Sequence, residues 1–387
     1  MRVLFTTWAW RSHLYALAPL AWAFRAASHD VLVASQPGLV DEIAQTGLPA
    51  AGVGRDVDAA GMVRGYLLPT TPAVTGGPAG TEKSPVPRAM RMLLAHTESM
   101  LDGLIELAKR WRPDIVVYET TTLAGPIAAA AIGVPAVRHL YGPDLLLRAR
   151  RLLPEVLAPL AGQHGVSEFE PLGGVTVDPT PDSLQLPGDH PRIPMRYVPF
   201  NGPETLPDRL PATGGRPRIC VTWGHTIAGV APARFLLPSV AEALSELDVD
   251  VLVAVSAAQV PLLGPLPPKV RVVVDSPLNQ LLPGCDLVVA HGGAGTTLTA
   301  LHHGVPLLLV PQLPDHTGHA NRVSACGAGE VLTAQQASPS RLREEAERCL
   351  GDSPRRAAAI RIQQEMRDSP PPAALVPELV AGARAIN

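Results

Sequence analysis

The stretch DLVVAHGGAGTTLTALHHGVPLLLVPQ sets a histidine and three glycines where an anion can be held. Residues Leu287–Ala290 read as a buried apolar strand that ends at His291. Gly292, Gly293, Ala294 and Gly295 then turn the chain into a helix predicted to open at Thr296. Glycines let a ligand approach the backbone closely. A helix N-terminus adds unpaired N–H groups with a partial positive charge. His291 beside that turn is placed to donate to a phosphate oxygen.

Several phosphate schemes compete for the turn. A dinucleotide fingerprint needs Gly-x-Gly-x-x-Gly, and Leu298 stands where the third Gly belongs. Asp315 lies 20 residues past Gly295 (315 − 295), which keeps a nicotinamide-dependent oxidoreductase open. A P-loop is absent, since at 80–84 Glu82 replaces the Gly that should precede Lys83. Asp56-Val57-Asp58 and Asp248-Val249-Asp250 have the Asp-x-Asp form of metal-dependent nucleotide-sugar sites, but the first sits in a loop, the second leads directly into a strand, and both read as chance. Asp315, His316 and His319 make only weak zinc spacing. No metal is expected.

The elements that must position this turn alternate along the chain. Strand-like runs at 3–6, 31–34, 115–118 and 135–139 are separated by helix-like runs at 14–27, 100–110 and 124–132. The second half repeats the pattern, with strands at 219–223, 251–255, 270–274, 287–290 and 307–310 and helices at 235–247 and 296–303. Such alternation predicts an α/β protein with parallel sheets wrapped by helices, formed twice. A Pro- and Gly-rich stretch at 199–217 lacks either period and marks the boundary. The expected units are 1–200, a linker at 201–217, a second domain at 218–366, and a segment at 367–387 docking back on the first. The irregular stretch 65–87 reads as a mobile loop over a cleft or as a tolerated surface insertion, with the loop favoured. The run 144–160 reads as a helix whose Arg148, Arg150 and Arg151 form a solvated face.

Composition narrows the classes. The chain has 387 residues, 46% of them hydrophobic, and a net charge of −3 with no basic cluster, which argues against a nucleic-acid partner. Cys220, Cys285, Cys326 and Cys349 are widely spaced and read as reduced, buried thiols. No apolar run approaches the ~18–20 residues of a membrane span. Thr6, Thr7, Arg11 and His13 break the opening MRVLFTT as a signal peptide. A soluble cytoplasmic protein is expected, with no membrane partner.

At the level of motifs, HGGAGTT followed by PQLPDHTGHANRV resembles the donor signature of family 1 glycosyltransferases with the GT-B fold. The opening TTWAWRSHLYALAPLAWAFRAASHDVLVAS and the segments WRPDIVVYETTTLAGPIAAAAIGVPAVRH and MRYVPFNGP extend the resemblance over the whole chain. Within that family it resembles actinobacterial enzymes that attach deoxysugars to polyketide antibiotics. The resemblance implies two Rossmann-like domains facing across a cleft and an inverting transfer without metal or other cofactor. It implies a dTDP-sugar donor and a polyketide acceptor, with a homodimer allowed.

The resemblance also assigns residues. His13 matches the general base, and a neutral imidazole suits that role at cytoplasmic pH. Glu119 stands where many relatives carry Asp, to orient the base or, in C-glycosylating members, to activate a carbon nucleophile. His291, Gly293, Gly295, Thr296 and Thr297 would hold the diphosphate. Trp223, Gly224, His225 and Thr226 would close over it, with Pro277 and Leu278 against the base. Asp315 and His316 match an Asp-Gln pair that contacts sugar hydroxyls. Thr299 replaces the Glu that binds ribose in plant members, which favours dTDP over UDP. Trp8, Trp10 and Tyr15 would line the acceptor side, favouring a flat aromatic acceptor. A non-catalytic nucleotide-sugar-binding helper protein remains the alternative to an enzyme.

Overall fold

A computed structural model describes residues 1–68, 88–203, 205, 215–351 and 353–386. The amino-terminal half forms a parallel sheet from β1 (Arg2–Thr6), β2 (Asp30–Ser35), β3 (Ala50–Gly52), β4 (Ile115–Glu119), β5 (Ala136–His139), β6 (Val175–Asp178) and β7 (Arg192–Pro194). Their spatial order is β3-β2-β1-β4-β5-β6-β7. The second half forms another from β8 (Arg218–Thr222), β9 (Asp250–Val255), β10 (Val270–Val274), β11 (Leu287–Ala290), β12 (Leu307–Leu309) and β13 (Gly329–Val331). Here the order is β10-β9-β8-β11-β12-β13.

Both sheets are covered on two faces, so their central strands are unbroken apolar runs. Along β1 the side chains alternate. Leu4 enters a cluster with Val116, Met100 and Leu104, while Val3 and Phe5 enter another with Ile115 and Val117. The helix Arg11–Ala26 closes the second cluster with Leu14, Leu17, Ala21 and Phe24, at the spacing of one helix face. The carboxyl-terminal helix Pro372–Ile386 packs there too, through Leu375, Val376, Leu379 and Ala383. Arg196 ties this return by donating its N–H to Pro370 O at 2.7 Å and its Nε–H to Ser369 O at 3.0 Å.

Strand order reverses between β1 and β4 and again between β8 and β11. Ligands of open parallel sheets bind beyond the carboxyl ends of strands at such reversals. Those four strand ends deliver Trp8, Glu119, Trp223 and His291. The two sheets thus aim one reversal each at a common cleft.

Element ends depart from the periodicity where caps decide. The first helix begins at Arg11, because Trp10 is extended and its carbonyl accepts from His13 N and Leu14 N. The expected helix at 144–160 is broken. Pro154 has no N–H for the carbonyl of Arg150, so a 3-10 turn Leu145–Ala149 and a helix Leu153–Gln163 form instead. The helix expected at 100–110 is the end of Arg88–Trp111. Both Asp-x-Asp pairs have structural tasks: Asp56 accepts from Gly38 N, Asp58 caps the helix Ala59–Arg64, and Asp248 and Asp250 pair with Arg216.

That helix Ala59–Arg64 crosses the cleft. Val63 is buried among residues of the second domain, Arg64 Nε–H donates to Val230 O at 2.8 Å, and Leu68 N–H donates to Gln312 O at 2.9 Å. Residues 69–87 of the expected mobile loop lie outside the described residues. Among the described residues, no helix is long and apolar enough to cross a membrane.

One buried ion pair holds the cleft wall. Arg138, at the end of β5, is fully buried and grips both oxygens of Asp144, at 2.7 and 3.3 Å. Asp144 also caps the turn Leu145–Ala149, by accepting from Leu147 N–H at 3.2 Å. Asp144→Ala should therefore destabilise the protein by about 3–5 kcal/mol, since an unpaired guanidinium stays buried. Urea unfolding of the two proteins measures the difference.

Candidate active site

A cavity of about 1230 Å³ lies between the domains. Of the residues singled out in the sequence, Trp8, Trp10, His13 and Tyr15 line it from the first domain. From the second come Gly224, His225, Thr226, Leu278, His291, Gly293, Gly295, Thr296, Asp315 and His316. Glu119, Trp223, Pro277 and Thr297 are not on its wall. Consecutive helical residues point about 100° apart, so Thr296 faces the cavity while Thr297 is buried.

On the acceptor side the centre is a dyad. His13 Nδ1 lies 3.0 Å from Glu119 Oε1, and Glu119 is fully buried. Thr121 donates its N–H at 3.0 Å to Oε1 and its hydroxyl at 2.6 Å to Oε2, and the Thr122 hydroxyl donates to Oε2 at 3.2 Å. Burial would raise the Glu119 carboxyl, but the charge and hydrogen bond of His13, with the Thr121 donors, bring it below its ordinary value. The indole Nε1 of Trp8 also approaches His13 Nδ1, at 3.1 Å. An unprotonated Nδ1 would set its lone pair against the carboxylate, so Nδ1–H donates to Glu119. Nε2 is then the free, basic nitrogen at the cavity.

Trp8 stacks on Trp10, with ring centres 5.0 Å apart and 7° between planes. Both also pack against the core beneath, so they are wall and foundation at once. Tyr15 stands apart from them. It donates to Glu42, packs its edge on Phe200, and borders a second, polar cavity of about 720 Å³ with Arg11, Asn201 and Ser276. Arg148 and Arg151 are exposed, as a solvated face requires, yet they also lie on the wall of the main cavity.

The donor side is built on β11. Gly293, extended at φ −63° and ψ 142°, caps the helix Ala294–His302, which starts two residues before the expected Thr296. A Cβ on Gly293 would lie 2.4 Å from His291 Nε2, and one on Gly224 would lie 2.7 Å from His291 Cε1. The imidazole fits only between two glycines. Gly224 also has φ +55°, a left-handed conformation that favours glycine. Trp223 is fully buried behind it, donating Nε1–H to Gln312 Oε1 at 2.6 Å. Burial, and then repulsion from His316, His225 and His319, holds the His291 imidazole well below its ordinary value.

The Thr299 position carries no carboxylate, and its hydroxyl is already engaged. It donates to Gly295 O at 2.7 Å and meets Tyr197 OH at 3.1 Å and Asn201 Nδ2 at 3.3 Å. Tyr197 and Asn201 are the groups that face the cavity there. Both escaped the sequence reading, although the MRYVPFNGP segment contains them. Tyr141 escaped it too. Its ring centre is 4.2 Å from His13 and 6.2 Å from His319, which joins the two sides of the cleft. Its place just beyond β5 was the available signal. Among the described residues, no three His, Cys, Asp or Glu side chains are grouped as a metal site needs.

Comparison with known proteins fits this geometry. Residues 22–224 match the N-terminal domain, and 238–381 the C-terminal domain, of the erythromycin biosynthesis protein CIII-like family. The chain belongs to that family. It is a glycosyltransferase with the GT-B fold. The glycosyltransferase is 36% identical to the 10-deoxymethynolide desosaminyltransferase of Streptomyces venezuelae, over 98% of this chain and 96% of that one. It is 37% identical to the TDP-daunosamine transferase DnrS of Streptomyces peucetius, over 98% of this chain and 96% of that one. Among solved structures, the glycosyltransferase VinC in complex with dTDP aligns at a TM-score of 0.82 and 35% identity, covering 100% of both chains. The spinosyn rhamnosyltransferase SpnG complexed with spinosyn aglycone aligns at 0.81 and 30%, covering 98% of this chain and 100% of that one.

Proposed function

We propose that this glycosyltransferase moves a deoxysugar, with inversion, from a dTDP-sugar to a hydroxyl of a polyketide aglycone. The observation that carries the reading is that the His13–Glu119 dyad and the His291 turn open onto one cavity from opposite domains. His13 Nε2 takes the acceptor proton while the acceptor oxygen forms its bond to C1 of the sugar. The C1–O bond to the diphosphate breaks, and its electron pair leaves with the phosphate oxygen. His291 and the N-terminus of the helix Ala294–His302 meet the charge that grows there. These groups stand where other enzymes use a divalent cation, so the transfer needs no metal. The stacked Trp8 and Trp10 favour a flat, apolar acceptor.

Direct activation of a carbon nucleophile by Glu119 is disfavoured, because both its oxygens are engaged and it is off the cavity wall. A non-catalytic helper would have no use for an intact dyad. The names and complexes of VinC and SpnG support dTDP at the donor end and a polyketide-type aglycone at the other.

A thermal-shift titration with dTDP, UDP, ADP and NAD, each with and without EDTA, tests the donor assignment. A ligand at 100 times its Kd adds about 2.7 kcal/mol of stability. dTDP should raise the midpoint most, with EDTA making no difference. A larger shift with NAD, or a dTDP shift that needs metal, would overturn it.

A further inference from the structure

The phosphate turn has an unusual charge problem. Residues 291–299 contain no Lys or Arg, and the guanidinium of Arg322 on the same cavity is committed to Leu184 O at 3.1 Å and Ser183 O at 3.0 Å. Imidazoles stand there instead. His316, expected among the sugar contacts, sets its ring edge-on against His291 with centres 4.6 Å apart. His319 lies one turn further along the helix Pro314–Ala325. All three are nearly fully buried.

Their ring nitrogens are incompletely satisfied. His291 Nδ1, His316 Nδ1 and His319 Nε2 are buried without a hydrogen-bond partner, a state that buried polar atoms rarely hold without reason. The tautomer of His319 is fixed, because Nδ1–H donates to Gly292 O at 3.1 Å. Its orphaned Nε2 is therefore a lone pair awaiting a proton.

We propose that the diphosphate of the donor draws a solvent proton into the His291–His316–His319 cluster as it binds, so that these imidazoles carry positive charge only while the anion is present. This rests on the donor site proposed above and specifies how that site meets the charge. Without ligand the balance favours neutral rings. Burial and then mutual repulsion lower His291, and burial lowers His316 and His319 against the pull of the partly exposed Asp315. His13, across the cleft, further lowers His319. His225 is lowered by burial and Arg11, opposed by Glu42 and Asp275. Tyr141 contributes no charge, because burial pushes its phenol well up. Two phosphate charges against His291 and His316 on the cavity wall, with His319 buried behind them, reverse the balance, since a nearby opposite charge favours the protonated form.

The sign follows from linkage: a proton taken up on binding makes affinity fall as pH rises. For one proton the change is at most about tenfold per pH unit. The test is isothermal titration of a dTDP-hexose, whose phosphates have no proton to exchange near neutral pH, into the full chain at pH 7 in Pipes and in Tris. These buffers release a proton with different heats. Unequal heats corresponding to uptake of about one proton are expected. The double variant His316→Gln, His319→Asn should lose most of that difference, and His13→Ala should retain it.

Equal heats for the wild-type protein would overturn the proposal, whatever the variants do. So would uptake that survives the double variant or disappears with His13. Failure of dTDP to stabilise the protein in the thermal-shift titration would instead overturn the donor reading itself.

Discussion

His13→Ala should lower kcat by ~10²–10⁴-fold, the contribution of a positioned general base, while dTDP binds as before. His13 sits in the first turn of the helix Arg11–Ala26, with Nδ1 fixed by Glu119 and its other face against the ring of Tyr141. Nothing in that arrangement holds the nucleotide, so the loss should fall on turnover and leave dTDP stabilisation intact. Steady-state rates together with a dTDP thermal titration separate the two. Full turnover in the variant would remove His13 from the chemistry, and lost dTDP binding would make it a structural residue.

The parts of this site that were legible in the sequence are those built from contiguous residues. A strand, a glycine turn and a helix N-terminus follow one another around His291, so local patterning sufficed. The α/β architecture was legible for the same reason, since burial on both faces turns each central strand into a continuous apolar run. The resemblance over the whole chain then supplied His13 and Glu119, which no local pattern links. Periodicity misplaced the start of helix Arg11–Ala26 because the extended backbone of Trp10, rather than hydrophobicity, decides where it begins. It missed the break at Arg150–Leu152 because the apolar rhythm continues across a proline that the hydrogen bonds cannot cross.

What stayed hidden depends on where separate loops meet. Tyr141, Asn201 and Gln312 are distant in sequence and join the site only because the strand ends bring them together. Gln312 is held by three separate segments of the chain. It accepts from Trp223 Nε1, its amide donates to Arg234 O at 2.8 Å, and its carbonyl accepts from Leu68 across the cleft. One residue thereby ties the donor turn, through its side chain, to the first domain, through its backbone carbonyl. Thr297 and Pro277 lie off the cavity wall for a different reason. Each adjoins a residue that faces the cavity, and only the helical rotation per residue or the cap geometry tells the neighbours apart.

His291→Ala should lower kcat by ~10²–10³-fold, comparable with removing one preorganised donor from an oxyanion site. Burial keeps the imidazole neutral until the donor binds, and its constant task is to present an N–H, whichever ring of the cluster then holds the proton. The demand on that donor grows as the C1–O bond breaks and the diphosphate gains charge, so most of the loss should appear in turnover. The two glycines that confine the ring make the donor rigid before the reaction starts, which is what gives such a group its effect. Rapid-quench rates at saturating donor measure the chemical step directly. Glutamine at 291 should recover part of the rate, since an amide N–H can reach the same oxygen without carrying a proton. If alanine and glutamine lose equally, the imidazole acts through its charge in the complex rather than as a neutral donor. If neither loses rate, the phosphate is not held by this turn.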